Sequence, residues 1–157
     1  MNLRNALRSE DTEQIQVVAW ADWNAIMHPE LKWLHHIPNG GSRNKAEAVK
    51  LKQMGVRSGI SDLFLPCARG MYHGLYIEMK YGDGRLQQTQ KEFLSDMTDA
   101  GYYVATCYTA EQAINVIKKY INLGSFDMRD VLDENPMTVM SRPSNSIWKD
   151  EKLPCAR

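Results

Sequence analysis

No apolar run in this chain approaches the ~20 residues that a membrane-spanning helix needs. The first ten residues, MNLRNALRSE, lack the apolar segment of a secretory leader. A transmembrane or exported protein is therefore not expected. Net charge is also missing: 19 Lys and Arg balance 19 Asp and Glu. That excludes a protein that coats nucleic acid by bulk positive charge. Cysteine is scarce and unpaired in pattern. Cys67, Cys107 and Cys155 lie far apart and no CxxC occurs, so neither a disulfide framework nor a dithiol redox site is expected. A reducing, cytoplasmic compartment fits. No internal repeat or low-complexity tract appears.

What remains is an ordinary globular composition, 43% hydrophobic and 24% charged over 157 residues, enough for one domain with a real core. Charge is unevenly placed. From Lys32 to Arg57 six bases (Lys32, Arg43, Lys45, Lys50, Lys52, Arg57) face one acid, Glu47; from Asp127 to Glu134 four acids face one base. Taken alone, this asymmetry needs nothing beyond solvated helix faces.

Periodicity orders the elements. Asp11 or Thr12 caps a first helix that reaches about Met27 and carries Glu13 in its first turn, where the helix dipole favours an acid. Residues 33–37 suggest a short strand, and 38–42, PNGGS, a loop. Asn44, with Glu47 three residues on, opens a second helix that stops at Gly55. Leu63–Leu65 and Leu75–Ile77 are short apolar runs separated by a glycine-containing turn and read as a hairpin. An amphipathic helix from about Gln87 to Ala100 ends at Gly101. A strand over 102–107 follows, then a helix capped by Thr109. The sum is an α/β sandwich with a mixed sheet. Residues 1–121 form the domain. Residues 122–157, rich in Asp, Asn, Pro, Ser and Lys, form an extension, extended or docked on its own domain or a second subunit.

The hairpin carries the chemistry. It brings Asp62, at the start of one strand, towards Glu78-Met79-Lys80 at the end of the other. Strand alternation points Glu78 and Lys80 one way and Met79 into the core. Two acids and a lysine at one spot are costly unless a cation sits among them or the group does chemistry. Phosphodiester hydrolysis needs an activated water and neutralised phosphoryl charge, which Mg²⁺ supplies from a site of one or two carboxylates. Asp62 and Glu78 fit that site, and Lys80 suits the developing charge or the attacking water. Glu13 could complete the metal site from the first helix. Gln90 could orient water or phosphate, although an acid in a first helical turn and a surface glutamine are both common without function. Asn39, Arg43 and Asn44, just before the second helix, offer phosphate contacts, and the basic helix follows at once with Lys45. Arg57 and Arg85 join this nucleic-acid-binding set. His35, His36, His73 and Cys67 match no zinc-ligand spacing. Trp20, Trp23 and Trp33 suit a core or a dimer surface better than a base-stacking platform.

Asp62…Glu78-x-Lys80 resembles the PD-(D/E)xK nuclease superfamily, and the surroundings resemble its virus-type replication-repair nuclease (VRR-NUC) domain. Glu13 with Gln16, GVRSGISDL over 55–63, IEMK over 77–80, Leu86, Gln90, Phe93-Leu94 and GYYV over 101–104 carry the likeness, from Glu13 to about Ile121. Ser61 stands where the superfamily often has proline. The resemblance implies a restriction-endonuclease-like αβββαβ core and Mg²⁺- or Mn²⁺-dependent cleavage of DNA. It implies metal binding by Asp62, Glu78, Glu13 and the Met79 carbonyl, with Lys80 and Gln90 also in the catalytic set. Stand-alone members, often from phages, resemble homodimeric Holliday junction resolvases. A flap or restriction-type endonuclease and a non-catalytic branched-DNA-binding module are the alternatives.

Overall fold

The computed structural model of the protein describes residues 8–39 and 44–124. Arg43 and nearly all of the 122–157 extension lie outside them.

Helix α1 spans Glu10–Asn24. Its cap is Ser9, not Asp11 or Thr12: the Ser9 hydroxyl accepts from the Thr12 N–H, and Thr12 returns a bond to the Ser9 backbone. Asp11 and Thr12 thus lie in the first turn. The helix ends at Asn24, three residues short of Met27. A 3-10 turn, Pro29–Trp33, takes Trp33, the first residue of the expected strand, and only His35–His36 pair as strand β1. Helix α2 spans Lys45–Gln53, with the Asn44 carboxamide oxygen accepting from the Glu47 N–H at 2.8 Å. It ends where Gly55 adopts φ +99° and the Val56 N–H reaches back to the Leu51 carbonyl.

Strands β2 (Leu63–Leu65) and β3 (Leu75–Met79) form the hairpin, and helix α3 (Gln88–Asp99) carries the chain to β4 (Tyr103–Cys107). The sheet order is β1-β2-β3-β4, antiparallel except for the parallel β3–β4 pair. A parallel neighbour requires a crossover, which α3 supplies. Helix α4 (Ala110–Ile121), capped by Thr109, closes the domain.

Strand alternation sorts two cores. Leu63, Leu65, Leu75, Ile77 and Met79 pack with Val17, Ala21, Ala113 and Ile117 of α1 and α4. On the other side of the sheet, Val104 packs with Leu86, Leu94 and Tyr108, and Tyr76 and Phe93 lie against them. Burying one such Leu or Ile contributes about 1.5–3 kcal/mol. No helix among the described residues is long and apolar enough to cross a membrane.

Candidate active site

Leu63 pairs with Ile77, so continuing the β2–β3 register by one residue sets Asp62 across from Glu78. Cross-strand partners share a sheet face, here the one that α3 covers. Asp62 is held on both sides. Its Oδ2 accepts from the Met79 N–H at 2.8 Å, and its carbonyl takes the Ile37 N–H at 2.8 Å and Nδ1 of His36 at 2.8 Å. Burial pushes its carboxyl above the usual range, against the pull of the Met79 N–H and Lys80.

Glu78 is fully buried. Its Oε1 accepts from Lys80 Nζ at 2.6 Å and from the Gln90 amide. Its Oε2 is buried with no partner. Burial, then the Asp62 charge, push its pKa up to about 8; Lys80 pulls the other way. Lys80 also donates to the Met79 carbonyl at 3.2 Å and lies 4.0 Å from Glu10 Oε2. Burial disfavours its ammonium, but Glu78, Glu10 and Asp62 outweigh it and its pKa rises. Glu78 and Lys80 thus compete for protons. The ammonium form of Lys80 is the one that Glu78, Glu10 and Asp62 together favour.

Gln90 sits where the sequence placed it and has two tasks. Its Oε1 accepts from the Gln87 N–H at 2.9 Å, capping α3, and this turns its NH₂ towards Glu78. The loop before Asp62 is fitted against the same turn. Gly59 has φ +89°, and a Cβ there would stand 2.8 Å from the Thr89 backbone.

Glu13 does not join the cluster. Its Oε1 accepts from Arg8 Nε at 2.7 Å and its Oε2 from the Ala110 N–H at 2.7 Å, so it clips α1 to the start of α4. The acids of α1 that act on the site are Glu10, whose charge bears on Lys80 and Glu78, and Asp11, whose charge bears on Asp62. Neither is in the site set read from sequence, where Asp11 or Thr12 is the expected cap of the helix, two or three residues beyond the observed cap Ser9. The Ser9–Thr12 capping pair is the signal that could have set its start. Among the proposed nucleic-acid contacts, Asn39 donates to the Ile60 carbonyl and so pins the loop leading to Asp62. Asn44 caps α2, and Lys45, Arg57 and Arg85 are exposed.

Among the described residues no three His, Cys, Asp or Glu side chains gather as a complete metal site. Mg²⁺ does not need that, since one or two carboxylates with water and phosphate oxygens suffice. The partnerless Glu78 Oε2, on a residue whose cross-strand neighbour Asp62 is a second carboxylate, fits a divalent cation. An ion there would relieve both the missing bond and the repulsion.

A mixed four-stranded sheet with two acids and a lysine gathered at adjoining strand ends defines a nuclease-type α/β domain. The chain belongs to the VRR-NUC domain family, whose model matches residues 4–111. A solved structure described as a VRR_NUC domain protein is 35% identical, with a TM-score of 0.69 over 81% of this chain and 99% of that one. No curated protein matches the chain.

Proposed function

We propose that this protein is a metal-dependent, structure-selective DNA endonuclease that resolves four-way junctions as a homodimer. The observation that carries the metal-dependent part is the buried Glu78 Oε2, without a partner and opposite Asp62. Asp62, Glu78 and the Met79 carbonyl would hold Mg²⁺ or Mn²⁺, with Glu10, whose charge bears on Glu78 and Lys80, in place of Glu13 as a further acid. When bound, the ion supplies charge neutralisation at the phosphoryl group and an activated water. Lys80, fixed between Glu78 and the Met79 carbonyl, is placed to donate to the charge that develops on the phosphate. Gln90 holds the Glu78 carboxylate in one orientation. Family membership supports DNA as the substrate. Trp23, Ile26, Met27 and Trp33, all large and exposed within residues 23–33, support association with a second copy, because exposed apolar side chains favour burial. Two-fold symmetry then places paired sites on the two opposed strands of a junction. The host cell cytoplasm is the proposed location if the chain is phage-encoded.

The deciding experiment is a cleavage panel of four-way, flap, single-stranded and linear DNA with Mg²⁺, Mn²⁺ or EDTA. Paired, symmetric cuts in the junction that require the metal are expected. Preference for flaps or linear duplex would redirect the substrate, and cutting in EDTA would remove the metal.

A further inference from the structure

Helix α2 has no buried residue over its nine positions. A helix this short does not hold together alone in water; its stability must come from tertiary contact. Within the described residues that contact is slight. Only Leu51 is even half-buried, and Val56 just beyond the helix is the same. At 100° per residue, Lys45, Val49 and Lys52 fall within about 60° of one another, on a flank some 120° round from Leu51. All three are exposed, Val49 at 57%. Lys45 and Lys52 stand about 10 Å apart along the axis.

We infer that α2 is completed by the substrate: its Lys45–Val49–Lys52 face lies along a DNA sugar-phosphate backbone, and this contact orders the helix. The inference rests on the nuclease reading for its choice of DNA. Charge favours a polyanion, since Lys45, Lys50, Lys52 and Arg57 outnumber Glu47 four to one over residues 44–57. Position favours the substrate of this particular site. From α2 the chain passes through Gly59, seated on Thr89, directly to Asp62, and Gln90 beside Thr89 holds Glu78. The helix is therefore tethered by a short segment to the catalytic end of the sheet, within reach of the same substrate. The acidic stretch 127–134 is the competing occupant within the chain. It begins shortly after Gly124, whose carbonyl lies 3.5 Å from the Gly70 N–H in the β2–β3 connection, at the opposite end of those strands.

The test is equilibrium binding of the full chain to a labelled four-way junction in EDTA, with hydrogen exchange measured on residues 44–54. DNA is expected to slow exchange across α2. Lys45→Ala/Lys52→Ala is expected to lower the slope of log affinity against log salt by about 2. Val49→Glu should weaken binding while leaving the melting temperature unchanged. An unaltered slope with no DNA-dependent protection overturns the inference. So does protection in the free protein that grows with protein concentration, which would mark a second copy. Protection in the free protein that is lost when Asp127, Asp130, Asp133 and Glu134 are neutralised would seat the C-terminal segment there instead. A protein that binds and protects α2 yet cuts nothing with Mg²⁺ or Mn²⁺ loses the nuclease reading and keeps this one. One that cuts without protecting α2 does the reverse.

Discussion

Lys80 is buried, and the charges of Glu78, Glu10 and Asp62 favour its ammonium against the cost of burial. On the proposed mechanism, removing it takes away a donor to the growing phosphoryl charge, and such donors typically contribute 10²- to 10³-fold in rate. Lys80→Ala is expected to slow junction cleavage at least ~100-fold while junction affinity in EDTA stays within a few-fold. Equal loss of binding and cleavage would make Lys80 a binding residue only. Ser61 is a different case. Its hydroxyl is buried with no partner, which costs about 1–3 kcal/mol. Ser61→Ala should raise the melting temperature by about 2–4 °C for each kcal/mol recovered and leave metal affinity unchanged. A lower melting temperature, read by calorimetry, would mean that the hydroxyl is satisfied by ordered water.

Elements bring these residues together through close backbone approaches. Gly59 is the tightest: its positive φ and its 2.8 Å margin against Thr89 leave no room for a methyl group. Gly59→Ala should destabilise the domain by more than about 1 kcal/mol. It should also weaken metal binding, because the loop it displaces carries Asp62 and the turn it pushes carries Gln90. Titration calorimetry with Mn²⁺ showing native affinity would break that link. Much of this was legible in sequence. The Asp62–Glu78 pairing follows from strand period and a short hairpin, α4 from Thr109 and its apolar stripe, and Gln90 from its place in the first turn of α3. Three things were not. The start of α1 turned on the Ser9–Thr12 capping pair rather than on Asp11 or Thr12 as the cap, which makes Glu10 the first helical residue, near Lys80. The engagement of Glu13 with Arg8 and Ala110 is a long-range contact that no local pattern encodes. The shortness of β1 reflects a ladder of only two residue pairs to β2, with Trp33 taken by a proline-started 3-10 turn.

For the whole molecule, surface and charge decide association and stability. Trp23 is 84% exposed and Ile26 88%, so neither contributes to the core of the single chain. If they form the dimer face, Trp23→Glu/Ile26→Glu should give a species of 18.0 kDa by light scattering, without loss of helical signal. A wild-type chain that already runs at that mass would refute the homodimer.

Stability should also carry the signature of the proposed metal site. In the metal-free protein Glu78 titrates at about 8 instead of 4.5. Below pH 4.5 both the folded and unfolded chains hold its proton. Between 4.5 and about 8 the folded chain holds it and the unfolded chain does not, so each rise in pH favours unfolding, by at most about 1.4 kcal/mol per pH unit. Above pH 8 this contribution is flat. The metal-free melting temperature should therefore fall across that window. Glu78→Gln should flatten the fall and melt higher than wild type at pH 8, because an amide has no charge to desolvate. Added Mg²⁺ or Mn²⁺ should stabilise wild type most at the alkaline end, where the carboxylate is free to bind, and should leave Glu78→Gln nearly unmoved. A wild-type melting curve independent of pH, or an equal metal effect in the variant, would show that Glu78 ionises normally and that the ion binds elsewhere.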